Sequence, residues 1–144
     1  MTIVEIAVGV ALLGLVAGAA LTALTALNKN AVSTRVMTNA REIVQRNIES
    51  AMGVPFTTIT SPAILALTGT SGATWDDDGG GDGLEKIYTN RSGTTLMYGT
   101  LTRTVVAQAN PAGADIRKVT FHLDYTLFGR ALSYEMTTIR AMDK

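Results

Sequence analysis

The side chains best equipped for chemistry are concentrated between Trp75 and Leu84, in the run Trp-Asp-Asp-Asp-Gly-Gly-Gly-Asp-Gly-Leu. Asp76, Asp77, Asp78 and Asp82, with Glu85 close behind, gather acidic oxygens on a glycine-rich loop, which is the donor set calcium favours. The spacing is not that of an EF-hand. Counted from Asp76, the third position is Asp78, but the fifth is Gly80 and the twelfth is Ile87, where a bidentate glutamate belongs. Two readings stay open: a calcium loop of another kind, with Asp76, Asp78 and Asp82 as ligands, and a solvated acidic turn neutralised by Lys86 and Arg91, which is the simpler account.

The single histidine, His122, could be combined with Asp124 and Ser133 into a hydrolytic set, because His122 and Asp124 share one face of a strand. Ser133 lies in no nucleophile turn, and no glycine loop supplies an oxyanion hole, so the expectation is an exposed strand histidine in a chain that is not an enzyme. One histidine and no cysteine leave no material for the usual zinc centres, for a disulfide or for a thiolate nucleophile. Twelve Lys and Arg balance twelve Asp and Glu, so no net charge steers the chain toward nucleic acid.

Glu5 is a further notable acid, since it stands at the edge of a long apolar run. The charged share is 17% against an apolar share of 47%, and the mean hydropathy is +0.23; the excess apolar character sits in one segment. From Ile6 to Leu27 no residue is charged, and at about 1.5 Å per residue this stretch covers about 33 Å, enough to cross a hydrocarbon core. A secretory signal is the competing reading, but no basic residue precedes the apolar run. Gly9, Gly14 and Gly18 allow close approach of neighbouring helices, and Gly14-x-x-x-Gly18 is a packing motif of membrane helices. The same glycines are places where the helix can loosen. A carboxylate at the edge of such a span needs a partner, and the α-amino group of Met1, in the same chain or in another, is the nearest cation. The plainer role for Glu5 is to lie among lipid headgroups and complement the helix dipole.

These residues need elements to hold them. Val36, Met37, Ala40, Ile43, Val44, Ile48, Ala51 and Met52 recur at helical spacing, so the apolar helix continues in amphipathic form. Arg35, Arg46, Glu42 and Glu49 fall on its other side, and with Arg41 they form either a solvated face or a salt-bridging surface between subunits. Gly53 as a left-handed C′ residue and Pro55 end the helix near residue 52, after about 75 Å. Residues 57–74 read as a loop with one helical turn, and the Asp and Gly run as irregular. Leu96–Gln108 and Ile116–Phe128 read as strands, and Leu132–Arg140 returns after Gly129-Arg130 to complete a hairpin. Val119, Phe121, Leu123, Tyr125 and Leu127 face inward, while Thr120, His122, Asp124 and Thr126 face solvent. The fold class is α+β: a long helix over residues 1–27 (apolar) and 28–53 (amphipathic), packed by a small antiparallel sheet within residues 54–144.

The start Met-Thr-Ile-Val-Glu, the apolar stretch, its amphipathic continuation and the C-terminal antiparallel sheet resemble type IV pilins and the related pseudopilins of type II secretion. The resemblance is most specific in residues 1–27. It implies a leader removed just before Met1, N-methylation of Met1, and pairing of Glu5 with the Met1 amine of another subunit. It also implies storage in a bacterial inner membrane, extraction by an ATPase-driven assembly machine, and a homopolymeric extracellular filament whose core is the apolar helix. Many pilins carry a proline where this chain has Thr22, so Gly14, Gly18 and Thr22 would have to supply the helix loosening. Many close a loop with a disulfide, which this chain cannot do, and Met1 replaces the commoner Phe. Major pseudopilins hold calcium in a C-terminal loop, which keeps that cofactor open for Asp76, Asp78 and Asp82. A pseudopilin is the alternative within the family, and a single-pass membrane-anchored binding domain is the alternative outside it. Lys29 and Arg35, which follow the span, would by themselves put the β domain in the cytoplasm; only a basic leader reverses that.

Overall fold

Among the described residues one helix, α1, runs from Ile3 to Gly53 and is followed by a single 3-10 turn (Ala63–Leu65) and five strands: β1 (Ala73–Thr74), β2 (Leu84–Thr89), β3 (Thr95–Gln108), β4 (Ile116–Leu127) and β5 (Arg130–Ala141). The computed structural model describes residues 2–57, 61–110, 113 and 115–143. The chain divides into two compact units, Met1–Arg35 and Val36–Lys144.

The first unit is helix alone. Its large side chains, among them Ile3, Leu13, Leu15 and Leu24, are all exposed, and no part of its most apolar window is buried. A helix apolar on every side has no preferred face and suits a uniformly apolar surrounding, so this segment is a candidate membrane span or signal sequence. Its few hydroxyls are turned inward: Thr22 Oγ1 donates to the Gly18 carbonyl at 2.8 Å and Thr25 Oγ1 to that of Leu21 at 2.9 Å, leaving no side-chain donor unmet in an apolar stretch. The helix runs through Gly9, Gly14 and Gly18, where an added Cβ would meet nothing within 4 Å.

In the second unit α1 becomes one-sided. Val36, Ala40, Ile43, Val44, Asn47, Ile48 and Ala51 are buried. Met37 and Met52, expected on the same stripe, are 40% and 55% exposed. Met52 lies on the rim of the stripe at roughly 100° per residue, whereas Asn47 falls near its centre and is buried in place of an apolar residue. Gly53 is not a left-handed C′ residue either. It belongs to the last helical turn, the Val54 amide still bonds the Ser50 carbonyl at 3.1 Å, and Pro55 ends the helix by restricting the residue before it.

The sheet is antiparallel throughout, in the order β1-β3-β4-β5, with β2 pairing a different stretch of β3. Val119, Phe121, Leu123, Tyr125 and Leu127 point inward with Leu101 and Val105, as the alternation predicts, and the polar residues between them point out. The β4–β5 turn falls one residue earlier than expected. Phe128 and Gly129 form it with φ of 50° and 76°, so Arg130 already pairs with Leu127. Two consecutive positive φ values give the turn whose twist matches the strands, which fixes the hairpin register. The segment after the helix is tied down by arginines. Arg117 pairs with Asp115 at 2.7 Å and lies over the Phe56 ring, and Arg140 bonds the Val54 carbonyl and Asp143. Strands β1 and β2 were not expected from the sequence. In β2, Glu85 stands at an inward position beside Ile87, so its charge breaks the apolar alternation that would mark a strand.

Gly99 is where the chain needs a residue without a side chain. A Cβ there would lie 2.7 Å from Ile87 Cδ1 and 2.9 Å from the Asp124 carbonyl, and the latter is main chain that cannot turn aside. Gly99→Ala is therefore expected to destabilise the β unit by about 1–3 kcal/mol through overpacking, read as a lower thermal midpoint; an unchanged midpoint would show that the β3–β4 pair can shift there.

Candidate functional sites

The Asp and Gly loop is built from its own carboxylates. Asp76 accepts the amides of Gly79, at 2.9 Å, and Gly81; Asp78 accepts that of Gly80 at 2.9 Å; Asp82 accepts that of Leu84 at 2.9 Å. Gly79, Gly81 and Gly83 take φ between 69° and 77°, which lets the backbone fold around these acceptors. The result brings the three predicted ligands together, with one oxygen of each within 4.8 Å of the others. Lys86 completes the cluster with a 2.8 Å bond to Asp78, which holds that carboxyl below its ordinary range and holds the Lys86 ammonium above its own.

Asp77 and Glu85 point the other way. The Asp77 carboxylate takes Arg46 Nη2 at 2.7 Å, Arg46 Nε at 3.0 Å and Asn47 Nδ2 at 2.5 Å, all from α1. Asn47 in turn accepts from the Trp75 indole at 2.9 Å, so both ends of one buried amide are used and the loop root is fixed to the helix. The Trp75 ring lies 4.5 Å from the guanidinium carbon of Arg103, which is buried, donates to the Ala63 carbonyl, and is held below its ordinary pKa by desolvation. Glu85 is 1% exposed and accepts the Asp77 amide at 2.9 Å. Of the five acids grouped by the sequence, three face outward as a set and two are structural. Nothing local in the chain separates Asp77 from its neighbours, because its partners Arg46 and Asn47 lie about thirty residues away.

Glu5 has a partner in its own helix. Its carboxylate accepts the Thr2 amide at 3.2 Å, and the Glu5 amide donates back to the Thr2 hydroxyl at 3.4 Å. This is a capping box, a role for Glu5 beyond those expected above, and its signature Thr-x-x-Glu stands at residues 2–5 of the chain. The expected pairing with the Met1 amine falls outside the described residues. Among the helix arginines, Arg46 serves Asp77 and Arg41 lies over the Tyr134 ring at 5.6 Å.

His122 has Asp124 Oδ1 3.0 Å from Nε2 and Glu135 Oε2 3.2 Å from Nδ1, while Ser133 is the cross-strand neighbour of Asp124. An imidazole flanked by two carboxylates lacks the serine-to-base contact that hydrolysis requires. A groove of about 470 Å³ opens between the β2–β3 and β4–β5 hairpins, lined by Leu84, Leu96, Tyr98, Thr126 and Leu132, with Asp124 its one charged residue.

A hard cation at Asp76, Asp78 and Asp82 would be offered one half-buried and two exposed carboxylates, but backbone amides and Lys86 already meet both oxygens of Asp76 and of Asp78. The expected result is an equal thermal midpoint in calcium and in chelator. A calcium-dependent rise that Asp82→Asn removes would instead establish a metal site.

Compared with protein-family models, with curated proteins and with solved structures, the chain gives no significant match to any of them.

Proposed function

We propose that this chain is a structural subunit of a helical filament of the type IV pilus class, which waits in a membrane through the first half of α1 and polymerises through that same segment. The observation that carries the reading is the complete exposure of a charge-free helical stretch on every side, followed in the same helix by a one-sided stripe that packs on a sheet. Moving such a helix from lipid into a bundle of identical helices keeps its apolar surface out of water in both places. Association then rests on close packing, which Gly14 and Gly18 favour, since neither is covered within its own unit. The order of elements and the Thr2–Glu5 start support the same class. On this reading, no reaction is catalysed, the β unit forms the outer surface, and an inner-membrane machine extracts the subunit. A pseudopilin of type II secretion is the alternative within the same class. Native fibres of uniform diameter under the electron microscope support the proposal; only detergent-solubilised monomers would turn it toward a membrane-anchored binding domain.

Glu5 has two roles here. In the single chain it caps its own helix; in the filament it meets the amine of a neighbour, where an isolated carboxylate and an isolated ammonium would each cost several kcal/mol. Glu5→Gln keeps the reciprocal amide contact sterically possible while removing the charge. The expected outcome is a protein still expressed and inserted in the membrane but several-fold poorer at entering fibres when it is the sole subunit. Sheared fibre against membrane-retained protein measures this, and a wild-type fibre yield would remove Glu5 from the assembly mechanism.

A further inference from the structure

The contact between the 75–83 loop and α1 combines three features found nowhere else among the described residues. It has a buried carboxyl, Glu85, whose main-chain partner is the Asp77 amide. It has a second carboxylate, Asp77, which accepts from both Arg46 and Asn47 of the helix. It also has the protein's single tryptophan at the loop root, hydrogen bonded to the same Asn47. With Glu85 protonated, Asp77 and Arg46 cancel and the cluster is neutral. With Glu85 ionised, two carboxylates share one guanidinium, and one negative charge is left uncompensated where water cannot reach it.

We propose that the 75–83 loop is a pH-sensitive latch, closed on α1 while the Glu85 carboxyl is protonated and loosened when that carboxyl ionises beside Asp77. The charged groups acting on Glu85 are Arg46 from α1 and Asp77 and Asp78 from the loop; across β3 its neighbour is Gly99, which brings no charge. Burial is the largest influence and pushes the carboxyl up to about 7, with the Asp77 amide opposing and the Asp77 and Asp78 carboxylates reinforcing the rise. The sign follows from linkage. The folded protein holds this proton more tightly than the unfolded chain, whose glutamate titrates near 4.5, so the stabilisation is complete below about 4.5 and is lost as pH rises through about 7. A contact open to water then yields. That is the loop-to-helix clamp, whose Arg46 side chain is 60% exposed and can exchange Asp77 for water. The latch operates within the second unit and does not depend on how the N-terminal helix is used.

Trp75 provides a local readout in the full-length protein held in detergent micelles, because no other tryptophan contributes to its emission. Titrated from pH 5.5 to 8.5, the wild type is expected to show an emission change with a midpoint near 7. Glu85→Gln is expected to abolish it and hold the low-pH spectrum throughout, whereas His122→Asn, which removes the only imidazole, leaves it in place. Should Glu85→Gln fail to fold, Asp78→Asn serves instead, since it removes a nearby carboxylate that raises Glu85 while leaving the Asp77 clamp in place, and so moves the midpoint to lower pH. A flat wild-type titration overturns the latch. So does a transition that survives Glu85→Gln, that disappears with His122→Asn, or whose midpoint ignores Asp78→Asn.

Discussion

Everything in the larger unit depends on one burial event: the stripe Val36, Ala40, Ile43, Val44, Ile48 and Ala51 leaving water against the inward row of β3 and β4. Neither surface is stable alone. A meander of this size with one apolar face cannot satisfy that face by itself, and a single amphipathic helix has only marginal stability in water. Ala40 and Ala51 on the helix and Phe121 and Leu123 on the sheet are all fully buried. The rest of the unit is arranged around this contact. Arg117 and Arg140 fasten the chain that leaves the helix, and the buried Arg103 guanidinium lies over the Trp75 ring.

The sequence was legible where a period was clean. The helix from near residue 2, the inward face of β4 and the β4–β5 hairpin followed from spacing alone, because apolar residues there repeat without interruption. It was illegible where a polar residue occupies a buried position for a reason held elsewhere. Asn47 is buried to receive Trp75, and Glu85 is buried to receive the Asp77 amide, so the helix stripe was read without its centre and β2 was not read at all. The acidic loop was half legible. Asp76, Asp78 and Asp82 were grouped by composition, and the loop does gather them, but the division of labour between them and Asp77 is set by a helix distant in sequence.

Two uses of carboxylates recur. One is local: Asp76, Asp78, Asp82 and Glu5 accept main-chain amides a few residues away and so build a turn or begin a helix. The other is long-range: Asp77 and Asp143 reach segments that the backbone alone would not bring together, Asp77 to α1 and Asp143 to the Phe56 amide, a contact that holds the Asp143 carboxyl below its ordinary range. The first kind was visible in short motifs. The second required the fold.

The open side of β5 carries a consequence for crowding. Every second of its twelve residues turns a main-chain donor and acceptor to a side where no neighbouring strand among the described residues takes them up. Such an edge invites the same edge of another molecule. Arg130, Glu135 and Arg140 recur at every fifth position, and with the alternation of a strand the acid projects from one face of the ribbon and Arg140 from the other. Two copies aligned residue for residue in opposite directions about Glu135 would set acid against acid at the centre and arginine against arginine at both ends. Packed side by side at high density, these units therefore reject the most symmetrical seam open to them.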